Sequence, residues 1–294
     1  MFKGSIVALI TPFESTGEID FRALQKLLAM HLDAGTDGIV VAGSTGESVN
    51  LHAGEIAALL DAAVGQVAGQ VPVLAGTGNA STERAIAATQ LAESLGATAA
   101  LVVTPCYNRP PQRGLKAHFR AVAESSDLPV VLYNVPSRTG VDMLPETVRE
   151  LAQHPNIVGI KEAIGSVERN QQLLEFCGED FCLLSGDDPT CADIMELGAK
   201  GVISVAANLA PRQFKQLCLA AEKGDFVQAR QLDQELQELY EVIMLESNPI
   251  PVKWALHEMA MCEPYLRLPL VELSQQHRSA VRHCLAKLGV LGDQ

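Results

Sequence analysis

Aromatic side chains make up only 4% of these 294 residues, with one Trp and four Tyr, against 48% hydrophobic residues overall. A core of large packed rings is therefore excluded. Ala, Val, Ile and Leu must fill the interior, as in a parallel sheet covered by helices. Positive charge is short as well: 22 Lys and Arg against 35 Asp and Glu give a formal net charge of −13. Such a surface repels a phosphate backbone, so no nucleic-acid partner is expected. No run of about 18 apolar residues occurs, so neither a membrane-crossing helix nor a membrane partner is expected. The opening Met1-Phe2-Lys3-Gly4-Ser5 lacks a charged leader with a long apolar stretch and a small-residue cleavage site, so the expected compartment is the cytoplasm.

Paired metal ligands are missing too. The seven cysteines, at 106, 177, 182, 191, 218, 262 and 284, show no Cys-x-x-Cys spacing, and the seven histidines form no His-Glu-x-x-His. Reduced thiols and no metal are expected. Gly76-Thr77-Gly78 superficially resembles a dinucleotide loop but lacks the third glycine, so no cofactor is expected there. No internal repeat or linker of disordered composition interrupts the chain.

What remains is a regular alternation of short apolar runs and helical-period segments as far as residue 224. Eight runs read as strands, at 5–10, 38–42, 73–76, 99–104, 129–134, 157–162, 182–185 and 201–205. Between them, Phe21, Leu24, Leu27 and Leu28, and Ala85, Ile86, Leu91, Ala92 and Leu95, recur at three- and four-residue spacing, as on one-sided surface helices. Asp188-Pro189 reads as a helix N-cap with proline at the first helical position, and Gly96 and Gly198 stand where left-handed C-caps belong. The pattern predicts a (β/α)8 TIM barrel over 1–224. A C-terminal extension of three helices is expected over 225–294, at about 227–243, 251–261 and 271–288.

In such a barrel, reacting groups stand at the carboxyl ends of the strands. Strand six, Ile157-Val158-Gly159-Ile160, ends at Lys161, where an ammonium ion loses hydration and the neutral amine is favoured. An exposed lysine is neutral only about four times in 10⁴ at pH 7, so burial greatly changes its reactivity as a nucleophile. The two-residue period sets Gly159 on the same face, and the space over it is expected to let the amine bend inward. Lys200, at the opposite end of strand eight, and Lys253, in the tail, are weaker candidates. Tyr133 ends strand five and offers a phenol for proton transfer, with Ser44 and Tyr107 as hydroxyl neighbours. The Gly43-Ser44-Thr45-Gly46 turn presents hydroxyls and backbone N–H groups suited to a small carboxylate. Arg138, after strand five, could grip a second carboxylate with its planar fork. Each of these residues also has a plainer reading as a wall, cap or solvated loop residue.

Their combination resembles the dihydrodipicolinate synthase family, within the pyruvate-aldolase superfamily that includes N-acetylneuraminate lyase. The likeness runs from Gly4-Ser5-Ile6-Val7-Ala8-Leu9-Ile10-Thr11-Pro12 through Tyr133-Asn134-Val135-Pro136-Ser137-Arg138-Thr139-Gly140 and Gly159-Ile160-Lys161-Glu162-Ala163 to Asn248-Pro249-Ile250-Pro251-Val252-Lys253. The resemblance implies condensation of pyruvate with aspartate-4-semialdehyde, toward diaminopimelate and lysine, with no cofactor. It implies Lys161 as the Schiff-base lysine and Tyr133 as the proton carrier. Thr45 and the Ile203 backbone would bind pyruvate, with Gly186 a further substrate-binding position, and Arg138 would hold the semialdehyde carboxylate. Ser44, where the family usually has threonine, and Tyr107, contributed by a neighbouring subunit in the family, would complete the relay. A homotetramer built as a dimer of dimers is implied.

Some positions depart from the family pattern. Gly-Ser-Thr-Gly is similar to the lyase branch, and Ile164 replaces a common hydroxyl residue. Ala53, Ile56, Ala80, Arg84 and Cys106 depart from the pattern of lysine-inhibited members, although Ser48 and Gly78 match it. Weak or absent lysine inhibition is expected. Two alternatives stay open: a pyruvate aldolase acting on a sugar acid or hydroxy-oxo acid, and a non-catalytic paralogue that binds an oxo acid.

Overall fold

The computed structural model describes residues 2–291. Eight parallel strands close into a barrel in chain order: β1 (Gly4–Ala8), β2 (Gly38–Val41), β3 (Val73–Gly76), β4 (Ala99–Val103), β5 (Val130–Asn134), β6 (Ile157–Glu162), β7 (Cys182–Ser185) and β8 (Gly201–Ser204). All eight expected strands are present, three with the expected bounds and the others shifted by one or two residues at their ends. β8 pairs back onto β1, with Ile6 opposite Ile203.

Alternation along the strands divides the core into two layers. Inward-facing Ile6, Val40, Leu74, Leu101, Val131, Leu184 and Ile203 fill the barrel. Outward-facing Val7, Ile39, Val41, Val102, Leu132 and Ile160 join the helices and the tail in one larger cluster. Period-two patterning with both faces apolar is what a closed parallel sheet requires. The helix Phe21–Ala34 shows how the covering helices are set. Its start is capped by the Asp20 carboxylate, which accepts from Arg22 N and Ala23 N, and it stops at Gly35, at φ +76°. Gly96 has φ +79° and Gly198 +125°, so both expected C-cap glycines have positive φ.

One expected cap is wrong. Asp188 begins a short 3₁₀ turn, Asp188–Thr190, and its carboxylate caps nothing there. Instead Oδ2 reaches across to β8 and accepts from Val205 N and Ala206 N at 3.0 and 2.9 Å. The Asp-Pro pair carries no information on such a tertiary partner, which outcompetes the local one.

After Gly224 the chain forms the helices Phe226–Val242, Ile250–Glu258 and Gln275–Lys287. Their Leu236, Leu239, Trp254, Leu256 and Leu285 are buried in the same cluster as the outer barrel layer. No helix among the described residues is long and apolar enough to cross a membrane.

Two histidines are sealed into the helical layer. His31 Nδ1 meets Thr36 Oγ1 at 3.0 Å and His118 Nδ1 meets Thr82 Oγ1 at 2.9 Å, while both Nε2 atoms lack partners among the described residues. Burial pushes both imidazoles down to about 4. The unfolded chain then binds more protons than the folded one between about pH 6.5 and pH 4, so stability is lost as pH falls through that window. A His118→Gln variant should lose stability less steeply than the wild type from pH 7 to pH 4. The gap should grow to about 2–3 kcal/mol, read from urea midpoints. Parallel pH dependences would disprove a neutral buried imidazole.

Candidate active site

Because β5 and β6 pair in parallel with Tyr133 opposite Lys161, both side chains enter the barrel at its carboxyl end. Lys161 is 4% exposed and Tyr133 7%. The Lys161 ammonium nitrogen lies over the Tyr133 ring, 4.4 Å from its centroid, a cation–π contact in a dry site. Glu162, the next residue, faces the other side of the sheet and accepts from Asn134 Nδ2, so it does not pair with Lys161.

Room for the lysine comes from a different glycine than expected. A Cβ on Gly159 would stand 2.7 Å from both the carbonyl oxygen and Sγ of Cys182, so β7 fills that space. A Cβ on Gly186, after β7, would lie 2.9 Å from Lys161 Cε and 3.0 Å from Cγ. Same-face periodicity within one strand cannot reveal a neighbour supplied by the next strand.

The opposite rim is the turn after β2. It is bracketed by two non-glycine residues in left-handed conformation, Ala42 at φ +53° and Glu47 at φ +55°, each an uncommon state costing about 1–3 kcal/mol. Thr11 Oγ1 donates to the Gly46 carbonyl at 2.7 Å, and β3 crosses so close that a Cβ on Gly76 would fall 2.1 Å from the Ala42 carbonyl oxygen. Thr45 is buried and Ser44 half-buried beside it.

The tail completes this rim, and the sequence reading missed it. Asn248 Nδ2 donates to Thr45 Oγ1 at 2.9 Å, and the Asn248 carbonyl accepts from the Arg138 guanidinium at 3.2 Å. One tail residue thus touches two expected substrate-binding side chains. Lys253 is fully buried against the Glu47 carboxylate and also donates to the Tyr265 carbonyl at 3.0 Å. Burial draws its ammonium down, while Glu47 opposes that shift. Arg267 N donates to the other Glu47 oxygen at 3.1 Å, and both cations lie over the Phe13 ring. A buried lysine already held by a carboxylate is a structural ion pair, which explains why Lys253 is a poor nucleophile candidate. Asn248 and Lys253 stand 203 and 206 residues from their partners; a local motif search does not reach that far.

The other expected positions are placed plainly. Ile203 is buried in the inner layer on β8. Tyr107 is 96% exposed, at φ +68°, and is not gathered into the cluster by this single chain. Ile164 is half-buried after β6, its N–H bonded to Glu162. On the outer side of the β2 turn, Ser48, Ala53, Ile56, Gly78 and Arg84 line a cavity of about 600 Å³. Ala80 and Cys106 are not among its lining residues. The inner arrangement joins a buried amine, a phenol ring, a hydroxyl-bearing turn and an arginine. That set can form an imine with a ketone, move protons and hold carboxylates.

Residues 1–288 match the model of the dihydrodipicolinate synthetase family. A 4-hydroxy-tetrahydrodipicolinate synthase of Pseudomonas aeruginosa is 49% identical over 99% of this chain and 100% of its own length. One of Methylococcus capsulatus is 50% identical with the same coverage. Among solved structures, the dihydrodipicolinate synthase of Aquifex aeolicus superposes with TM-score 0.97 at 46% identity, covering 99% of this chain and 100% of that one. The chloride-inhibited dihydrodipicolinate synthase of Acinetobacter baumannii, complexed with pyruvate, does so with TM-score 0.97 at 44% identity and the same coverage.

A Gly186→Ala variant tests the packing of the lysine stem. It should cost about 1–3 kcal/mol in chemical denaturation through overpacking and push the amine off the Tyr133 ring. A crystal structure of that variant with the nitrogen still 4.4 Å from the ring centroid would contradict this account.

Proposed function

We infer, from the premise that this chain belongs to the dihydrodipicolinate synthetase family, that it is a Schiff-base lyase condensing pyruvate with L-aspartate-4-semialdehyde. The reaction belongs to the route to diaminopimelate and lysine. The observation that carries the residue assignment is the Lys161 amine, buried in the barrel mouth against the face of Tyr133.

In this reading the neutral Lys161 amine attacks the ketone carbon of pyruvate, and the carbinolamine loses water to give the imine. Tyr133 moves the protons, with Ser44 beside it and Tyr107 entering from a second copy of the chain. Loss of a methyl proton gives the enamine, whose carbon attacks the aldehyde. Thr45, Gly186 and the backbone at Ile203 hold pyruvate, while Arg138 grips the carboxylate of the semialdehyde. Residues 1–224 then carry the reacting groups, and residues 225–294 hold the rim through Asn248 and Lys253. The exposure of Tyr107 supports contact with a second copy of the chain, since a phenol in solvent has no role in its own barrel; the assembly in this reading is a homotetramer, a dimer of dimers. Cytoplasmic residence suits an enzyme of amino-acid synthesis.

Borohydride trapping with pyruvate tests the assignment: Lys161 should gain the mass of reduced pyruvate, and Lys161→Ala should trap nothing. Tyr133→Phe should slow turnover by about 10²- to 10⁴-fold. Near-normal turnover in either variant would rule out these roles. No trapping in the wild type would favour a non-catalytic oxo-acid binder, and a faster reaction with sugar-acid aldehydes than with aspartate semialdehyde would favour another aldolase.

Lysine should inhibit weakly or not at all. Arg84 in the cavity beside the β2 turn repels a ligand with two ammonium groups, and Ala53 and Ile56 offer it no acceptor. Half-inhibition at submillimolar lysine would overturn this expectation.

A further inference from the structure

Behind the strand ends that carry Tyr133 and Lys161, on the outer face of the sheet, lies a polar network that the Schiff-base chemistry does not use. Asn134 and Glu162 are register partners on β5 and β6, each one residue beyond the tyrosine and the lysine, and both are buried. Asn134 Nδ2 donates to the two Glu162 oxygens at 3.2 and 3.0 Å and to Asp142 Oδ1 at 2.8 Å. Its Oδ1 accepts from Met143 N at 3.0 Å. Glu162 Oε1 also accepts from Ile164 N at 2.8 Å. From the helix Val167–Leu174, Arg169 pairs with Asp142, lies 3.6 Å from Glu162 Oε2 and donates to the Met143 carbonyl at 3.1 Å. The network therefore ties the ends of β5 and β6 to the loop behind each and to the next helix.

We propose that Glu162 is a positioning residue for Lys161: with Asn134 and Arg169 it clamps the carboxyl ends of β5 and β6 from behind and so holds the amine against Tyr133. The proposal rests on the Schiff-base reading above. Its physical basis is the character of the partners. Asn134 Nδ2, Ile164 N and Arg169 all present donors or positive charge, a surround that the ionised carboxylate, an acceptor at both oxygens, matches best. A proton on Glu162 would remove the charge that attracts Arg169 and weaken the bonds its oxygens accept.

Among the described residues, the charged groups facing Glu162 are Arg169, from the helix behind β6, and Asp142, from the loop behind β5. Burial pushes its carboxyl up to about 7; the Asn134 and Ile164 hydrogen bonds and Arg169 draw it down, and Asp142 raises it. The clamp thus closes as pH rises through neutrality, and turnover should show a limb there.

Glu162→Gln tests this, because its amide presents donors to donors and mimics the protonated state in the same volume. Wild-type enzyme should trap pyruvate on Lys161 and show the neutral limb in kcat. The Gln variant should lose about 10- to 100-fold in kcat and in the rate of imine trapping, with the limb absent and the pyruvate KM within about threefold. Glu162→Asp, which keeps the charge, should recover part of that loss. A Gln variant with kcat within twofold of wild type, or with the limb intact, would overturn the proposal while wild-type trapping still stands. Should the Gln variant fail to fold, Arg169→Gln removes the one facing cation and should move the limb to higher pH; an unmoved limb would likewise overturn it. Absence of trapping in the wild type would strike the reaction assignment instead.

Discussion

The lateral pairing of two parallel strands governs this site. With Tyr133 opposite Lys161 and Asn134 opposite Glu162, the two-residue side-chain period sends one pair into the barrel and the other into the helical layer. A slip of one residue in β6 would exchange its faces, burying a carboxylate beside the ring and turning the amine toward the helices, and a slip in β5 would replace the ring with Asn134. The register shift at Val130 and Val131 lies just before these pairs. From there to the strand ends the ladder is regular, so the position of the amine is set by backbone hydrogen bonds rather than by a flexible loop.

The other rim is built differently. The turn after β2 holds two non-glycine residues in left-handed conformation, which isolated backbone disfavours. What stabilises it is remote: Glu47 buries its carboxylate against Lys253 and the Arg267 N–H, and Thr45 accepts from Asn248. Removing either member of the buried pair would leave an uncompensated charge, at a cost of about 3–5 kcal/mol. The tail helices are thus part of the construction of this turn.

How much of this the residues disclose follows from the range of each interaction. Strand positions are legible because a closed parallel sheet makes every stave a short apolar run, and the meeting of Lys161 and Tyr133 at the barrel mouth is legible because both stand at the carboxyl ends of neighbouring strands. Asp188 was misread because an Asp-Pro pair looks the same whether its carboxylate caps the next turn or crosses to β8. Gly159 was credited with the room that Gly186 provides, since lateral packing between staves is invisible in a single strand. Asn248 stands in a family-like run, yet its two contacts close spans of 203 and 110 residues. Tyr107 marks a different limit: its phenol lies outside the barrel of its own chain.

The charge balance closes the account of recognition. A chain with formal charge −13 has no general attraction for anionic substrates, so capture must depend on cations that are not already neutralised. Lys253, Arg169 and Arg267 are each committed to carboxylates of the protein. Arg138 instead gives one N–H to the Asn248 carbonyl, and the Lys161 nitrogen lies over the Tyr133 ring. A carbonyl orients a guanidinium without cancelling its charge. At the barrel mouth Arg138 therefore keeps its charge for an incoming carboxylate, and the Lys161 amine, which has no carboxylate partner in an ion pair among the described residues, stays open to a ketone.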